Sequence, residues 1–206
     1  TGLRNTAVGY AALSSNTTGN YNVAVGYDAL GDADGSNNVA VGNDALKLLT
    51  TGGNNVAMGI NALDACTTGG QNTAIGGFAL DNNTTAANNT AVGYQAMEMN
   101  VTGVQNTAVG SGALEEHLTN NCTAVGYHAL YSNTTGAENT AIGAYALDAN
   151  TTGNYNHAFG NNALGANTTG HSNVAVGINA LLLNSTGNYN TSVGGFALDA
   201  NTTTSN

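Results

Sequence analysis

The sequence predicts an all-β fold, a parallel β-solenoid or β-roll of about twelve 17-residue coils. Three observations carry that prediction. An Ala-Val-Gly-like triplet recurs with its glycine at Gly9, Gly26, Gly42, Gly59, Gly76, Gly93, Gly110, Gly126, Gly143, Gly160, Gly177 and Gly194, at spacings of 17 or 16 residues. An Ala-Leu pair follows each glycine within three or four residues, from Ala12-Leu13 to Ala197-Leu198, with Met97 as the only replacement for leucine. Finally, only 7% of residues are charged and none is proline. Stacked coils place like residues in columns about 4.8 Å apart, where like charges repel and where proline is unable to donate to the ladder.

A period this short is too small for a two-helix repeat. Within it, Thr6-Ala7-Val8 is β-prone and alternates between two faces. Gly9 permits a tight bend or a close backbone approach. Ala12-Leu13 is expected to open a second short strand, and Asn16-Thr17-Thr18-Gly19 reads as a turn. Two repeats are one residue short, between Leu30 and Asn38 and between Leu114 and Cys122. A loop there absorbs the deletion without shifting strand register.

The recurrent apolar columns are Val8, Leu13 and two alanines per repeat. Packed against one another they make only a thin core, because alanine fills little volume and burial contributes only about 25 cal/mol per Å². Sharing the Val or Leu column between chains would bury more, so a homotrimer is expected ahead of a single-chain solenoid. Residues 1–206 read as a single uncapped array: Thr1-Gly2 as the tail of one loop, Asn201 to Asn206 as the start of another. Part of a longer fibre, or a unit continued end to end in a filament, is the expectation.

Twelve acids against Arg4 and Lys47 give a formal charge of −10. That balance argues against nucleic acid, which needs a basic footprint, and against anionic membranes. No apolar run suits membrane insertion in this segment. No signal-type apolar region follows Arg4, so export is expected to depend on a segment outside this sequence.

At Asn72-Thr-Ala-Ile-Gly76 and Asn139-Thr-Ala-Ile-Gly143 the repeats resemble the head repeats of YadA-like trimeric autotransporter adhesins, and they are similar to phage tail-fibre repeat segments. The resemblance extends over every repeat, but the inserted Asn-Thr-Thr-Gly loop departs from the shorter repeats of that family. It implies a left-handed, homotrimeric β-roll, an extracellular or cell- or virion-surface location, attachment to a host-surface or carbohydrate receptor, and no catalysis.

Eight repeats carry an Asn-x-Ser/Thr sequon, at Asn16, Asn83, Asn100, Asn133, Asn150, Asn167, Asn184 and Asn201. On exposed loops these are candidate N-glycosylation sites; as turn chemistry they need no glycan. Cys66 and Cys122 are expected to be buried or isolated thiols, being too far apart for a disulfide. Asp32-Ala-Asp34-Gly-Ser36-Asn37 has the oxygens of a calcium loop but lacks its distal Glu, so no metal is expected. His117, His128, His157 and His171 occupy different repeat positions, and His117 after Glu115-Glu116 reads as part of a solvated loop. Tyr10 and Tyr27 share a column with Tyr94 and Tyr127, while Tyr21, Tyr155 and Tyr189 share another; ring packing or sugar binding both suit them.

The function expected is therefore a structural or adhesive extracellular fibre segment, without catalytic residues, metal or cofactor. A glycosylated filament subunit and a phage tail fibre are alternatives. An ice-binding solenoid is a further one, weakened by Val23, Val39, Val56, His157 and Val174 interrupting the Thr6 column.

Overall fold

A computed structural model describes residues 2–205. Thr1 and Asn206, the outer ends of the two flanking loops, lie outside the described residues. The chain forms two units, one ending at Gln105 and the other beginning at Asn106. Both are stacks of parallel three-residue strands in a β-solenoid, as the repeat predicts.

The first unit contains β1 (Thr6–Val8), β2 (Val23–Val25), β3 (Val39–Val41), β4 (Val56–Met58), β5 (Thr73–Ile75) and β6 (Thr90–Val92). Within this unit consecutive strands pair in parallel: Val56 lies against Thr73, Ala57 against Ala74 and Met58 against Ile75. The second unit repeats the plan with β7 (Thr107–Val109), β8 (Thr123–Val125), β9 (Thr140–Ile142), β10 (His157–Phe159), β11 (Val174–Val176) and β12 (Thr191–Val193). Both 16-residue coils keep register, Val23 opposite Val39 and Thr107 opposite Thr123.

Strand alternation decides what faces inward. From β2 to β11 the central alanine, such as Ala57, Ala74, Ala124 and Ala141, is completely buried, whereas in the end coils Ala7 of β1 is exposed and β12 has Ser192 at this place. The residues on either side of it point out. The Val8 column is therefore not core: Met58, Ile75, Val109 and Ile142 remain about two-fifths exposed, at 42%, 38%, 37% and 41%. The leucine column is instead buried within each unit, with Leu46, Leu63, Leu80, Leu130, Leu147 and Leu164 at zero exposure.

The second strand expected at Ala-Leu is absent. Ala29 and Leu30 are both fully buried, and a strand would turn one of two consecutive side chains outward. The backbone solves this by entering the left-handed region at alternate residues, with φ of 53° at Asp28 and 51° at Leu30. Leucine disfavours that region by about 1–2 kcal/mol. Burial of the side chain and coil-to-coil hydrogen bonds offset the cost, among them Leu30 N–H to the Ala45 carbonyl at 3.0 Å and Leu46 N–H to the Ala62 carbonyl at 3.0 Å.

The short coil at Asp34 shows how a missing residue is replaced. In full-length coils the paired Thr N–H groups donate to a threonine carbonyl of the next coil, as Thr151 and Thr152 do to Thr168 at 2.9 and 3.2 Å. At Thr17 and Thr18 the acceptor is the Asp34 carboxylate, at 2.7 and 2.9 Å. Those backbone donors, Thr18 first, hold the Asp34 carboxyl down at about 2. Asp34 therefore stands in for a backbone carbonyl, which accounts for the acidic residue without a bound ion.

Candidate functional site

The interior is the first place where polar chemistry collects. Its two asparagine columns line the bends between Leu and the next strand. In the column that begins each strand, one asparagine accepts from the next coil and donates to a bend carbonyl. Asn156 N–H donates to Asn139 Oδ1 at 2.9 Å, while Asn156 Nδ2 donates to the Gly170 carbonyl at 2.7 Å. The bend's main-chain groups are out of reach of both solvent and the strand ladder, so a side-chain amide must satisfy them.

The second column contains the sequon asparagines. Asn83, Asn100, Asn133, Asn150, Asn167 and Asn184 are completely buried, whereas Asn16 and Asn201 are half-buried. Asn150 Nδ2 donates to Asn133 Oδ1 at 2.7 Å and to the Gly153 carbonyl at 3.0 Å. The expectation that these residues sit on exposed loops is corrected for those six. The turn is at the surface, but its asparagine points inward, and a glycan on that nitrogen would keep the coil from closing. The same column accommodates apolar side chains at Leu49 and Cys66, both buried.

Both cysteines are free and buried, as expected. Burial pushes each thiol up to about 11, away from reactivity. His117 is not in a solvated loop: it takes the asparagine place in the interior column and is completely buried. Its Nε2 lies 3.1 Å from Asn106 Oδ1 and its Nδ1 lies 2.9 Å from Asn133 Nδ2. Asn133 Nδ2 is a donor, which fixes the neutral ring with its proton on Nε2. Burial lowers the His117 pKa to about 4 from 6.5.

A histidine with a depressed folded pKa binds more protons when unfolded. His117 therefore removes stability as pH falls from about 6.5 through about 4. Asp81 acts oppositely: burial first, then Asp64 and Glu98 beside it, raises it from 3.8 to about 6, so it adds stability as pH falls across that window. A His117→Asn variant separates the two. Its stability by urea titration is expected to match or exceed the parent at neutral pH, with the advantage growing between pH 6 and pH 4. An unchanged difference across that range would exclude a buried neutral imidazole.

The surface divides into charged and uncharged strips. Asp64, Asp81 and Glu98 succeed one another in neighbouring coils of the first unit. Burial is the main cause raising Asp64, with Asp44 repulsion next. Lys47 relieves part of this charge, its Nζ lying 3.1 Å from Asp44 and 3.3 Å from Asp28. Among the described residues no group of three acidic, histidine or cysteine side chains is arranged to hold a metal.

The outward face of the strands is the opposite case. Its columns, one led by Thr6 and Val23 and the other by Val8 and Val25, contain no Asp, Glu, Lys or Arg in either unit. Next to them runs the tyrosine column, also uncharged, with Tyr27 at 53% and Ile60 at 50% exposure. Tyr10 and Tyr27 stack at 5.2 Å, as their shared column predicts. A larger aromatic cluster at Tyr127, His128, Tyr131 and Tyr145 has no counterpart among the expectations from sequence, since its four rings come from three repeat positions.

No protein-family model, no curated protein and no solved structure matches this chain.

Proposed function

We propose that this chain is a structural and adhesive fibre segment of a cell or virion surface, and that copies associate laterally as a homotrimer through the outward β-face. The observation that carries the reading is the uncharged apolar character of that face. Parallel sheets are ordinarily covered on both sides. Here one side is packed on the unit's own Ala, Leu and Asn columns, while the other leaves Val, Ile, Met and Phe side chains in water.

The charge distribution favours self-association through this face over any other. With twelve acids against two bases, two copies meeting elsewhere bring carboxylates together, whereas the strand face brings none. A second copy also has the same coil spacing, so side-chain ridges at about 4.8 Å interdigitate along the contact. Leucine is already spent inside each unit, so the Val column is the one available for sharing. The fold supplies the rest of the reading: a ladder of hydrogen-bonded coils resists extension, and its bends accept substitutions that leave register intact.

Met58→Glu combined with Ile142→Glu tests the proposal. Each charge enters an uncharged column at an exposed position, so the monomer fold is expected to persist by circular dichroism. Sedimentation velocity is expected to show the parent as a trimer and the double variant as a monomer. A parent that is monomeric at all concentrations would sink the lateral-association reading. Electron microscopy of the parent separately tests whether extended fibres form.

A further inference from the structure

The aromatic cluster of the second unit is the strongest site the fibre reading leaves unused. Three consecutive coils build it. Tyr145 N–H donates to the Tyr127 carbonyl at 2.9 Å, and His128 N–H donates to the Ser111 carbonyl at 3.0 Å, which places Ser111, Tyr127 and Ala144 one above another. The next column runs Gly112, His128, Tyr145. A third runs Glu115, Tyr131, Asp148, joined by Glu116 N–H to the Tyr131 carbonyl at 3.2 Å and Ser132 N–H to the Asp148 carbonyl at 3.0 Å.

The rings are mutually fixed. His128 stacks between Tyr127, at 4.0 Å and 14°, and Tyr131, at 4.5 Å and 22°. Tyr145 meets Tyr127 edge-on at 5.3 Å. A Cβ on Gly112 would lie 2.7 Å from His128 Cδ2, so glycine there is what admits the imidazole. Tyr131 Oη donates to Glu115 Oε1 at 3.2 Å, which holds the outer ring of the stack. The small side chains of Ser111 and Ala144 leave Tyr127 standing proud at 47% exposure.

We infer that this cluster is a binding platform for an uncharged polysaccharide. An ordered tyrosine presents a broad apolar face with a polar rim, and loses little conformational freedom on binding because its neighbours already hold it. Sugar C–H bonds, slightly positive, pack on the negative ring face, while hydroxyls reach the tyrosine rims. No cavity exists among the described residues, so the surface suits a chain laid across coils and not an enclosed monosaccharide. The acidic surroundings disfavour anionic glycans. The rings stack on one another instead of enclosing a volume, which disfavours an aromatic cage for a cationic ligand.

The inference deepens the adhesive reading by naming what is held, and it is tested separately from fibre formation. The full chain is co-sedimented with insoluble cellulose, chitin and β-mannan, and with chitosan as a cationic comparison. The parent is expected to bind at least one of the three neutral polymers, with little dependence on salt. Tyr127→Ala, which places there the residue found at position 144, is expected to weaken that binding at least about tenfold with an unchanged circular dichroism spectrum. Tyr145→Ala is expected to weaken it also, and Tyr10→Ala, in the other unit, to leave it intact. Failure to bind all three neutral polymers, binding that survives both platform variants, or salt-sensitive binding to chitosan alone would overturn the proposal. A chain that forms fibres yet ignores these polymers overturns the glycan platform alone.

Discussion

Replacing Gly143 with alanine is expected to destabilise the second unit by about 3–5 kcal/mol, among the largest effects of any single methyl group in the chain. Two independent penalties meet at this position. The backbone φ is +136°, outside the regions open to L side chains. The added Cβ would also lie 2.5 Å from the Gly160 carbonyl oxygen and 2.6 Å from its carbon. Both obstructing atoms are main chain of the next coil, so no rotamer change relieves them. The coil would have to separate from its neighbour, weakening the pairing of β9 with β10.

Gly165→Ala is the matched control. There the nearest atom is Leu182 Cδ1 at 3.2 Å, with the Asn162 carbonyl oxygen at 3.3 Å. The leucine end can turn away, so an effect within about 1 kcal/mol is expected. Urea titrations of both variants, followed by far-ultraviolet circular dichroism, give the comparison. Equal midpoints would show that the repeat glycines are conserved in the array for some reason other than close coil approach.

The repeat made the coil spacing, the strand, the glycine bend and the register directly legible, because each is a property of one column. Two assignments failed because each was made from one segment without the coil that stacks on it. Ala29-Leu30 looked like a strand because β-propensity and hydrophobicity are local, whereas burying both residues requires left-handed backbone supported by the next coil. Asn150 looked like a surface acceptor because Asn-Thr-Thr-Gly is good turn sequence. The bend, however, leaves a glycine carbonyl inside the unit, and an inward amide is what satisfies it. The hint was present in Leu49 and Cys66, apolar residues at the same repeat position, which mark an interior column. The Tyr127 cluster gave no columnar signal at all, because its rings come from three positions in the repeat and meet only when coils stack.

The buried amides yield the second large effect. Asn156→Ala is expected to cost about 3–5 kcal/mol, more than truncating an exposed strand residue such as Ile142. The lost side chain does not merely remove its own bonds. Asn156 Oδ1 accepts from Asn173 N–H at 3.1 Å and Asn173 Nδ2 at 3.0 Å, and Nδ2 donates to the Gly170 carbonyl. All of these partners are buried. Asn173 N–H is orphaned outright, at a cost of about 1–3 kcal/mol, while the Gly170 carbonyl keeps only Asn167 Nδ2 and Asn173 Nδ2 only the Gly187 carbonyl, and the cavity left by the amide adds to the loss. Asn156→Asp discriminates between loss of volume and loss of the donor. The carboxylate is nearly the same size and still accepts from Asn173, but when ionised it has no proton for Gly170 and faces its carbonyl oxygen. If the amide ladder holds the bends, Asn156→Asp is at least as destabilising as Asn156→Ala at neutral pH and partly recovers as acid protonates the carboxyl group. If the column serves only to fill space, Asn156→Asp retains near-parental stability and Asn156→Leu does as well. Denaturant midpoints for the three variants at pH 7, and for Asn156→Asp at pH 4, separate these outcomes, since only the donor requirement makes the aspartate variant worse than its shape predicts.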